Sequence, residues 1–237
     1  MKLKLSFLFI LFLLSSCKKE ITHRYLQLAS FDQIELNDAF EVFLSEANNA
    51  SAEIIGYENI IGHIDLKVEN NILSIANNKN VKWLSPGKNK IMIYINSPPL
   101  KKIVAAEGCN IQTLTPITSE EFGLILTGKA NEATLELGVN TFYYWNNIPC
   151  GGKLTLSGKA ETLKIWNFAL MSVDAKSLTS KNAIVENSSA GDCEVNVLNK
   201  LEYSIKGKGN IHLYGTPLEI IENGSSASSD SGILIKH

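Results

Sequence analysis

The sequence predicts an all-β protein, and more narrowly a right-handed, single-stranded parallel β-helix with coils of about 20 residues. Three observations support this fold class: apolar runs of strand length bounded by Gly, Asn and Ser, few stretches with a helical period, and a regular spacing of those runs. One series of runs begins near residues 101, 122, 141, 162, 182, 201 and 217, and a second series lies between its members. Each repeat therefore holds two strands and two turns.

The coils must stack because one coil cannot bury its own apolar face. Side chains alternate between the two faces of a strand, so a shift of one residue would place Lys, Glu or Asn in the core. The register predicted from this constraint gives three inward columns: Leu126, Tyr144, Ile165, Val185 and Ile205; Leu124, Phe142, Leu163, Ala183 and Tyr203; and, in the second series, Leu135, Leu154, Val195, Ile211 and Ile233.

Residues 30–99 fit the repeat poorly, although they also have the pattern of short strands. These strands either begin the solenoid or form an N-terminal β layer that caps it, and either arrangement would cover an open edge of the stack. The chain accordingly divides into a signal peptide at 1–17, a tether at 18–29, an N-terminal β-rich segment at 30–99 and a β-helix repeat region at 100–237.

The first 17 residues have the parts of a secretory signal: the basic Lys2 and Lys4, an apolar run over 5–14 that only Ser6 interrupts, and LSSC ending at Cys17. The run is too short for a stable membrane span. LSSC resembles a bacterial lipobox, which implies cleavage before Cys17 and acylation of that cysteine. We therefore expect an outer-membrane lipoprotein that faces the periplasm or the cell surface. The alternative is an ordinary cleaved secretory signal.

The charge of the remaining chain restricts its partners. Without Lys2 and Lys4 there are 20 Lys and Arg against 24 Asp and Glu, a net charge of about −4. No basic block or stripe appears, which argues against a nucleic-acid partner. No second apolar segment approaches 18 residues, so no other part of the sequence is expected to span a bilayer.

Several segments resemble the head GIN-domain family of auto-transporter adhesins. They are FDQIELNDAFEVFLSE at 31–46, DLKVENNILSI at 65–75, PPLKKIVAAEG at 98–108 and the repeated units that end in GNIHLYGTP at 209–217. The resemblance implies a β-helical fold and an extracytoplasmic, often lipid-anchored protein, and it provides no catalytic residues. The turns of the family usually carry Gly-Ser-Gly, whereas here they read TGKA, SGKA, SSAG and KGKG.

The stretch TFYYWNN at 141–147 places four aromatic residues side by side. Two of them belong to the inward columns, so Tyr143 and Trp145 should face outward. One coil later Lys164 and Trp166 take the equivalent outward positions, and Glu186 follows them in an ion pair with Lys206. The candidate ligand-binding residues are therefore Tyr143, Trp145, Lys164, Trp166 and Glu186.

Exposed aromatic rings of this kind commonly mark an interaction site. The faces of Trp and Tyr suit sugar rings, and their N–H and O–H groups add polar contacts. The alternative is that the N-terminal layer or the 146–153 loop covers these rings, which would then serve only the packing of the protein.

Other reactive side chains give weaker signals. Cys109, Cys150 and Cys193 fall two coils apart, about 10 Å, which exceeds the span of a disulfide, so we expect free and buried thiols. Glu194 lies beside His212 in an outward column, and this pair is a weak acid–base alternative to an ordinary surface contact. No metal-ligand cluster or cofactor motif appears, so neither a metal nor a cofactor is expected.

These features favour a non-enzymatic, lipid-anchored envelope protein whose β-helix presents a rigid surface to a glycan or another envelope protein. A second interpretation is a carbohydrate-active enzyme, a lyase or hydrolase, that uses carboxylates such as Glu194 and Glu186 beside the tryptophans. A structural spacer or assembly subunit is the third. An enzyme needs converging carboxylates or a metal, a binding protein needs exposed aromatics, and a spacer needs neither.

Overall fold

The computed structural model describes residues 20–78, 91–147, 149–226 and 229–237, of which 67% lie in strands and 2% in a helix. The predicted signal peptide and Cys17 lie outside the described residues. The first elements are β1 (Ile21–Gln27), β2 (Gln33–Leu36), β3 (Glu41–Glu46), β4 (Ser51–Tyr57), α1 (Glu58–Ile61), β5 (Ile64–Glu69), β6 (Ile72–Asn77) and β7 (Met92–Ser97). They are followed by β8 (Lys102–Ala105), β9 (Asn110–Thr113), β10 (Glu121–Leu126), β11 (Asn131–Asn146), β12 (Gly151–Ser189), β13 (Cys193–Ile205), β14 (Ile211–Tyr214), β15 (Glu219–Glu222) and β16 (Leu234–Lys236).

The coils stack through two parallel ladders, and each coil contributes one strand to each ladder. The first ladder runs β6, β2, β8, β10, β11, β12, β13, β15, and the second runs β7, β3, β9, β11, β12, β13, β14, β16. Strands β11, β12 and β13 are long because they continue around a corner and belong to both ladders. The result is a β-solenoid of about six turns, which confirms the predicted all-β, parallel β-helical fold.

The N-terminal segment both joins the solenoid and caps it. Strands β2 and β3 form a coil that is inserted between the β6–β7 coil and the β8–β9 coil, out of chain order. Beyond them the pairing becomes antiparallel: β5 adds to β6, β4 adds to β7, and β1 adds to β4. Since β1 begins at Ile21, most of the segment predicted as a tether at 18–29 is instead a paired strand.

The inward faces are predicted correctly, but the register between several coils differs by two residues. Leu124 pairs with Tyr144, where the sequence pattern places Leu126. Val185 likewise pairs with Tyr203 rather than Ile205. Because side chains alternate between the two faces of a strand, a register shift of two residues leaves each side chain on the face predicted for it. The slips arise because coil length varies; in the first ladder it ranges from 18 residues between Ala183 and its partner Leu201 to 21 between Phe142 and Leu163.

One predicted inward residue faces solvent, and another lies at the edge of the core. Ile233 is 63% exposed, because β16 begins one residue later and pairs Leu234 with Ile211. Tyr203 is only partly buried, and its hydroxyl donates to Glu222 at 3.1 Å. The large rings of the central coils, by contrast, are fully buried, and each such side chain stabilises the fold by about 1.5–3 kcal/mol.

Buried asparagines bind the backbone at one corner of the coils. The Asn167 side chain donates to the carbonyl of Met171 at 2.9 Å and to Asn187 Oδ1 at 3.1 Å. Asn187 in turn donates to the carbonyls of Gly191 at 3.1 Å and Gly209 at 3.0 Å, one coil further on. At the turn these carbonyls have no partner in the ladders, and the asparagine amides donate hydrogen bonds to them instead. Buried backbone carbonyls without a hydrogen bond would destabilise the fold.

The three cysteines of the described chain lie behind the same region of the coils. Cys109, Cys150 and Cys193 are free and buried, as predicted. Cys193 is within hydrogen-bonding distance of the Asn167 amide, and Cys150 of the Asn131 amide, each at 3.4 Å. The thiols therefore help to pack the corner.

Replacing Asn187 by Ala should lower the free energy of unfolding by at least about 2 kcal/mol, because it leaves several buried polar groups without a partner. Urea denaturation of residues 18–237, which include every described residue, would measure the change. The matched control is Asn182→Ala, which removes an exposed amide contact to Asn199 and should cost no more than about 0.5 kcal/mol. Equal losses in the two variants would contradict the structural role of the corner amides.

Candidate ligand-binding surface

Four apolar side chains occupy one outward column of the first ladder. Trp145 and Trp166 are register partners, as predicted, and Ile125 pairs with Trp145 on the next strand. Val104 pairs with Ile125 and completes the column, which we call the tryptophan stripe. Neighbouring strands lie about 4.8 Å apart, so the stripe extends over about 14 Å. Trp145 is 38% exposed and the other three side chains are partly buried.

Tyr143 and Lys164 flank the stripe in the adjacent outward column, where they are register partners. The partner of Tyr143 on the other side is Gly123, and the tyrosine ring lies over it. A Cβ on Gly123 would come within 2.0 Å of the ring, so the glycine is required for this packing. Burial, and secondarily the nearby Glu121 carboxylate, raises the pKa of Tyr143, which keeps its hydroxyl protonated.

Charged side chains mark the other end of the stripe. Glu186 forms an ion pair with Lys206 at 2.9 Å, and the sequence also predicts this pair. Glu186 lies next to Trp166 because the residues that follow each of them, Asn187 and Asn167, are hydrogen-bonded across the coils. The pair is solvent-accessible, so it contributes little to stability and remains available to a ligand.

The described N-terminal strands do not cover the stripe. β1, β4 and β5 extend the ladders edge to edge at the end of the stack, rather than packing on their outer faces. The N-terminal β layer, which could have covered the tryptophans, therefore lies at the end of the stack. The accessible area that remains on Trp145 is consistent with an open surface.

Glu194 and His212 are register partners, but their side chains bind other groups. Glu194 accepts from Lys176 and from the Tyr214 hydroxyl, both at 3.3 Å. His212 contacts Asp192 at 3.4 Å through Nε2, and its Nδ1 lies 3.0 Å from His237. The two predicted acid–base partners thus lie side by side without a hydrogen bond between them.

The buried thiols do not have the character of nucleophiles. Burial raises the pKa of Cys109 to about 11 and that of Cys193 to about 12. Burial also raises the pKa of Cys150. The reactive form of cysteine is the thiolate, so these groups are poorly suited to catalysis at neutral pH. Within the described ranges no three His, Cys, Asp or Glu residues converge to hold a metal ion.

Sequence reasoning did not include Val104 and Ile125 in this surface. Both alternate with buried residues in KKIVAA and FGLILT, so their outward direction was readable. Their position beside Trp145 could not be predicted from the sequence. The predicted register was shifted by two residues and placed Ile125 beside Tyr143. A correct length for each turn would have been needed to find them.

Replacing Gly123 by Ala should displace the Tyr143 ring, because the new methyl group occupies the volume of the ring. The ring is the end of a movable side chain, so the loss in free energy of unfolding should stay near 1 kcal/mol. In Tyr143→Ala the clash is absent, and Gly123→Ala should then cost almost nothing. A double-mutant cycle by urea denaturation measures this coupling, and additive effects would show that the ring does not pack there.

Comparisons with known proteins agree with this architecture. The family model described as "Putative auto-transporter adhesin, head GIN domain" matches residues 30–217. No curated protein sequence matches the chain significantly.

Solved structures share the fold at low sequence identity. A protein described as a putative adhesin from Bacteroides fragilis has a TM-score of 0.82 and 18% identity, with 92% of this chain and 98% of that chain covered. A second, described as a putative lipid binding protein from Parabacteroides distasonis, has a TM-score of 0.64 and 15% identity, with 92% and 98% covered. At these identities the structures show the fold alone. The family model covers most of the sequence, and the chain therefore belongs to the head GIN-domain family.

Proposed function

We propose that the protein is a non-enzymatic, lipid-anchored component of the bacterial envelope that binds a glycan chain through the tryptophan stripe. The observation that carries this proposal is the continuous outward column of Val104, Ile125, Trp145 and Trp166. The adhesin family points to a cell-envelope or surface protein. The signal sequence that ends at Cys17 supports lipid anchoring at the outer membrane.

The chemistry of the stripe suits a ligand with an apolar face and polar edges. The indole rings offer flat apolar area, and their N–H groups can donate hydrogen bonds. Tyr143 and Lys164 on one margin, and Glu186 at one end, add polar groups that could bind hydroxyls. A sugar chain combines these two properties along its length, so we place it ahead of a purely apolar partner.

The carboxylates favour binding over catalysis, because both candidate acids are held in ion pairs. Glu186 is paired with Lys206, and Glu194 with Lys176. A glycosidase places two carboxyl groups on either side of one bond, with one of them held as the acid. Both candidate acids here lie in surface ion pairs on different ladders, which supports a binding surface.

The Trp145→Ala, Trp166→Ala double variant should weaken glycan binding at least tenfold, because exposed aromatic anchors often carry much of a binding energy. Calorimetry of residues 18–237 with cellohexaose, maltohexaose, chitohexaose, mannan and soluble peptidoglycan fragments would measure the affinities. Thr162→Ala, on the same outer face, is the matched control and should leave the affinities unchanged.

Two further measurements test whether the stripe is open and which class of ligand it binds. Acrylamide should quench the fluorescence of Trp145 and Trp166, compared with a Trp145→Phe, Trp166→Phe double variant, if the stripe is open. Equal affinities of wild type and the alanine double variant would overturn the proposed site. Phospholipid vesicles are included because one structural neighbour is described as lipid binding, and preferential binding of vesicles would overturn the glycan class.

Lipid anchoring has its own test. Cys17→Ser should abolish acylation and release the full chain from the membrane fraction, because the modified sulfur is then missing. The measurement is the distribution of the protein between membrane and soluble fractions, with mass spectrometry of the N-terminus. Cys109→Ser is the control and should remain with the membrane. Membrane association of the Cys17→Ser chain would contradict the anchor.

A further inference from the structure

We propose a second saccharide-binding site, separate from the tryptophan stripe, in a recess on the outer face of β1, β4 and β7, with β3 supporting it from one side. It goes beyond the proposed function because it lies on the second ladder and uses none of the same residues. The argument depends on the register of four strands, on the geometry around Glu53, and on the balance of aromatic and polar groups in the recess.

Four neighbouring strands bring the outward side chains together. Tyr25 is the register partner of Glu53, Glu53 of Tyr94, and Tyr94 of Phe43, which gives one row across β1, β4, β7 and β3. The adjacent row consists of polar residues at the equivalent positions: Gln27, Ser51, Asn96 and Ser45. An aromatic row with a carboxylate therefore lies beside a row of amides and hydroxyls.

The members of these rows on β1, β4 and β7 line a shallow recess of about 350 Å³ on the surface. Its aromatic side is formed by Tyr94, whose ring stacks on Phe43 with centroids 4.6 Å apart and planes 14° apart. The stack fixes the ring in position, so that its accessible surface is a rigid apolar platform. On the polar side Asn96 donates to the Ser51 hydroxyl at 3.1 Å, which orients both groups at the edge of the recess.

Glu53 is held in place by a contact from β1. His23 Nδ1 lies 2.6 Å from Glu53 Oε1, and Tyr25, on the same strand as His23, is the register partner of Glu53. The interactions with His23 first, and with Tyr25 second, lower the pKa of Glu53. Tyr25 itself is 73% exposed, so it leaves one side of the recess open.

This combination of groups matches a saccharide. The apolar C–H face of a sugar ring can lie on the Tyr94 platform, while its hydroxyl groups donate to Glu53 and bind the Ser51 and Asn96 edge. A cationic ligand fits less well, because the His23 ring already contacts the Glu53 carboxylate that a cation would bind. Glu53 is the only acid among the described residues that line the recess, whereas glycoside hydrolysis uses two, so the site is suited to binding.

Two substitutions test the recess in residues 18–237. Tyr94→Ala removes the platform, and Glu53→Gln keeps the shape of the side chain but removes its charge. Calorimetry with the hexasaccharides, mannan and peptidoglycan fragments named above should show at least a tenfold loss of affinity in each variant for one of these probes. Thr155→Ala, three strands from Phe43 in the same outward row, is the matched control and should bind as the wild type does.

The outcomes separate this site from the tryptophan stripe. Loss of binding in Glu53→Gln and Tyr94→Ala, with retention of that binding in the Trp145→Ala, Trp166→Ala variant, supports the recess. The reverse pattern overturns the recess and leaves the stripe as the site. A wild-type fragment that binds none of the probes also overturns the recess, while the quenching measurement still reports on the stripe. Circular dichroism of each variant confirms that a loss of binding is not a loss of fold.

Discussion

The in-register stacking of coils is the constraint on which the rest of the structure depends. A single coil has an inner face that only its neighbours can cover, so each strand must pair on both edges and keep its apolar side chains inward. The corners are the difficult part of this arrangement, because the chain leaves the ladders there. Asn167 and Asn187 solve the problem by binding the carbonyls of the turns and each other. The ladders can then continue through long strands with these turn carbonyls hydrogen-bonded.

The same ladders that build the core also arrange the outer surface. A side chain on one coil has a neighbour on the next at the spacing of the strands, so similar residues at equivalent positions become continuous columns. The tryptophan stripe is one such column, and the row that contains Glu53 and Tyr94 is another. The two surfaces differ in character, since the first is mainly apolar along its length and the second places a carboxylate between aromatic rings. Neither requires a flexible loop, so both should be rigid before a ligand arrives.

The sequence was sufficient for the fold class, nearly all of the inward faces and the register pairing of Trp145 with Trp166, because all of these follow from local alternation and coil spacing. It was insufficient for the position of Ile125, since a turn of unknown length separates coils and allows a slip of two. The insertion of β2 and β3 between later coils was also not predictable, because it depends on pairing between distant segments. For the same reason the Glu53 recess has no sequence signal: the residues that line it come from three strands, β1, β4 and β7, that become neighbours only in the folded chain.

With the proposed acylation at Cys17, the early start of β1 would set how far each surface lies from the membrane. Ile21 is four residues after Cys17, and four extended residues span at most about 14 Å. An acyl chain on Cys17 would therefore hold the edge of β1, and the Glu53 recess beside it, close to the lipid headgroups. In the second ladder β11 follows β1 by five strand spacings, about 24 Å, so the tryptophan stripe belongs to a more distant part of the rod. Under the proposed anchoring and the two proposed sites, one molecule would contact sugars near the lipid headgroups and others farther out, with the number of intervening coils setting the distance between them.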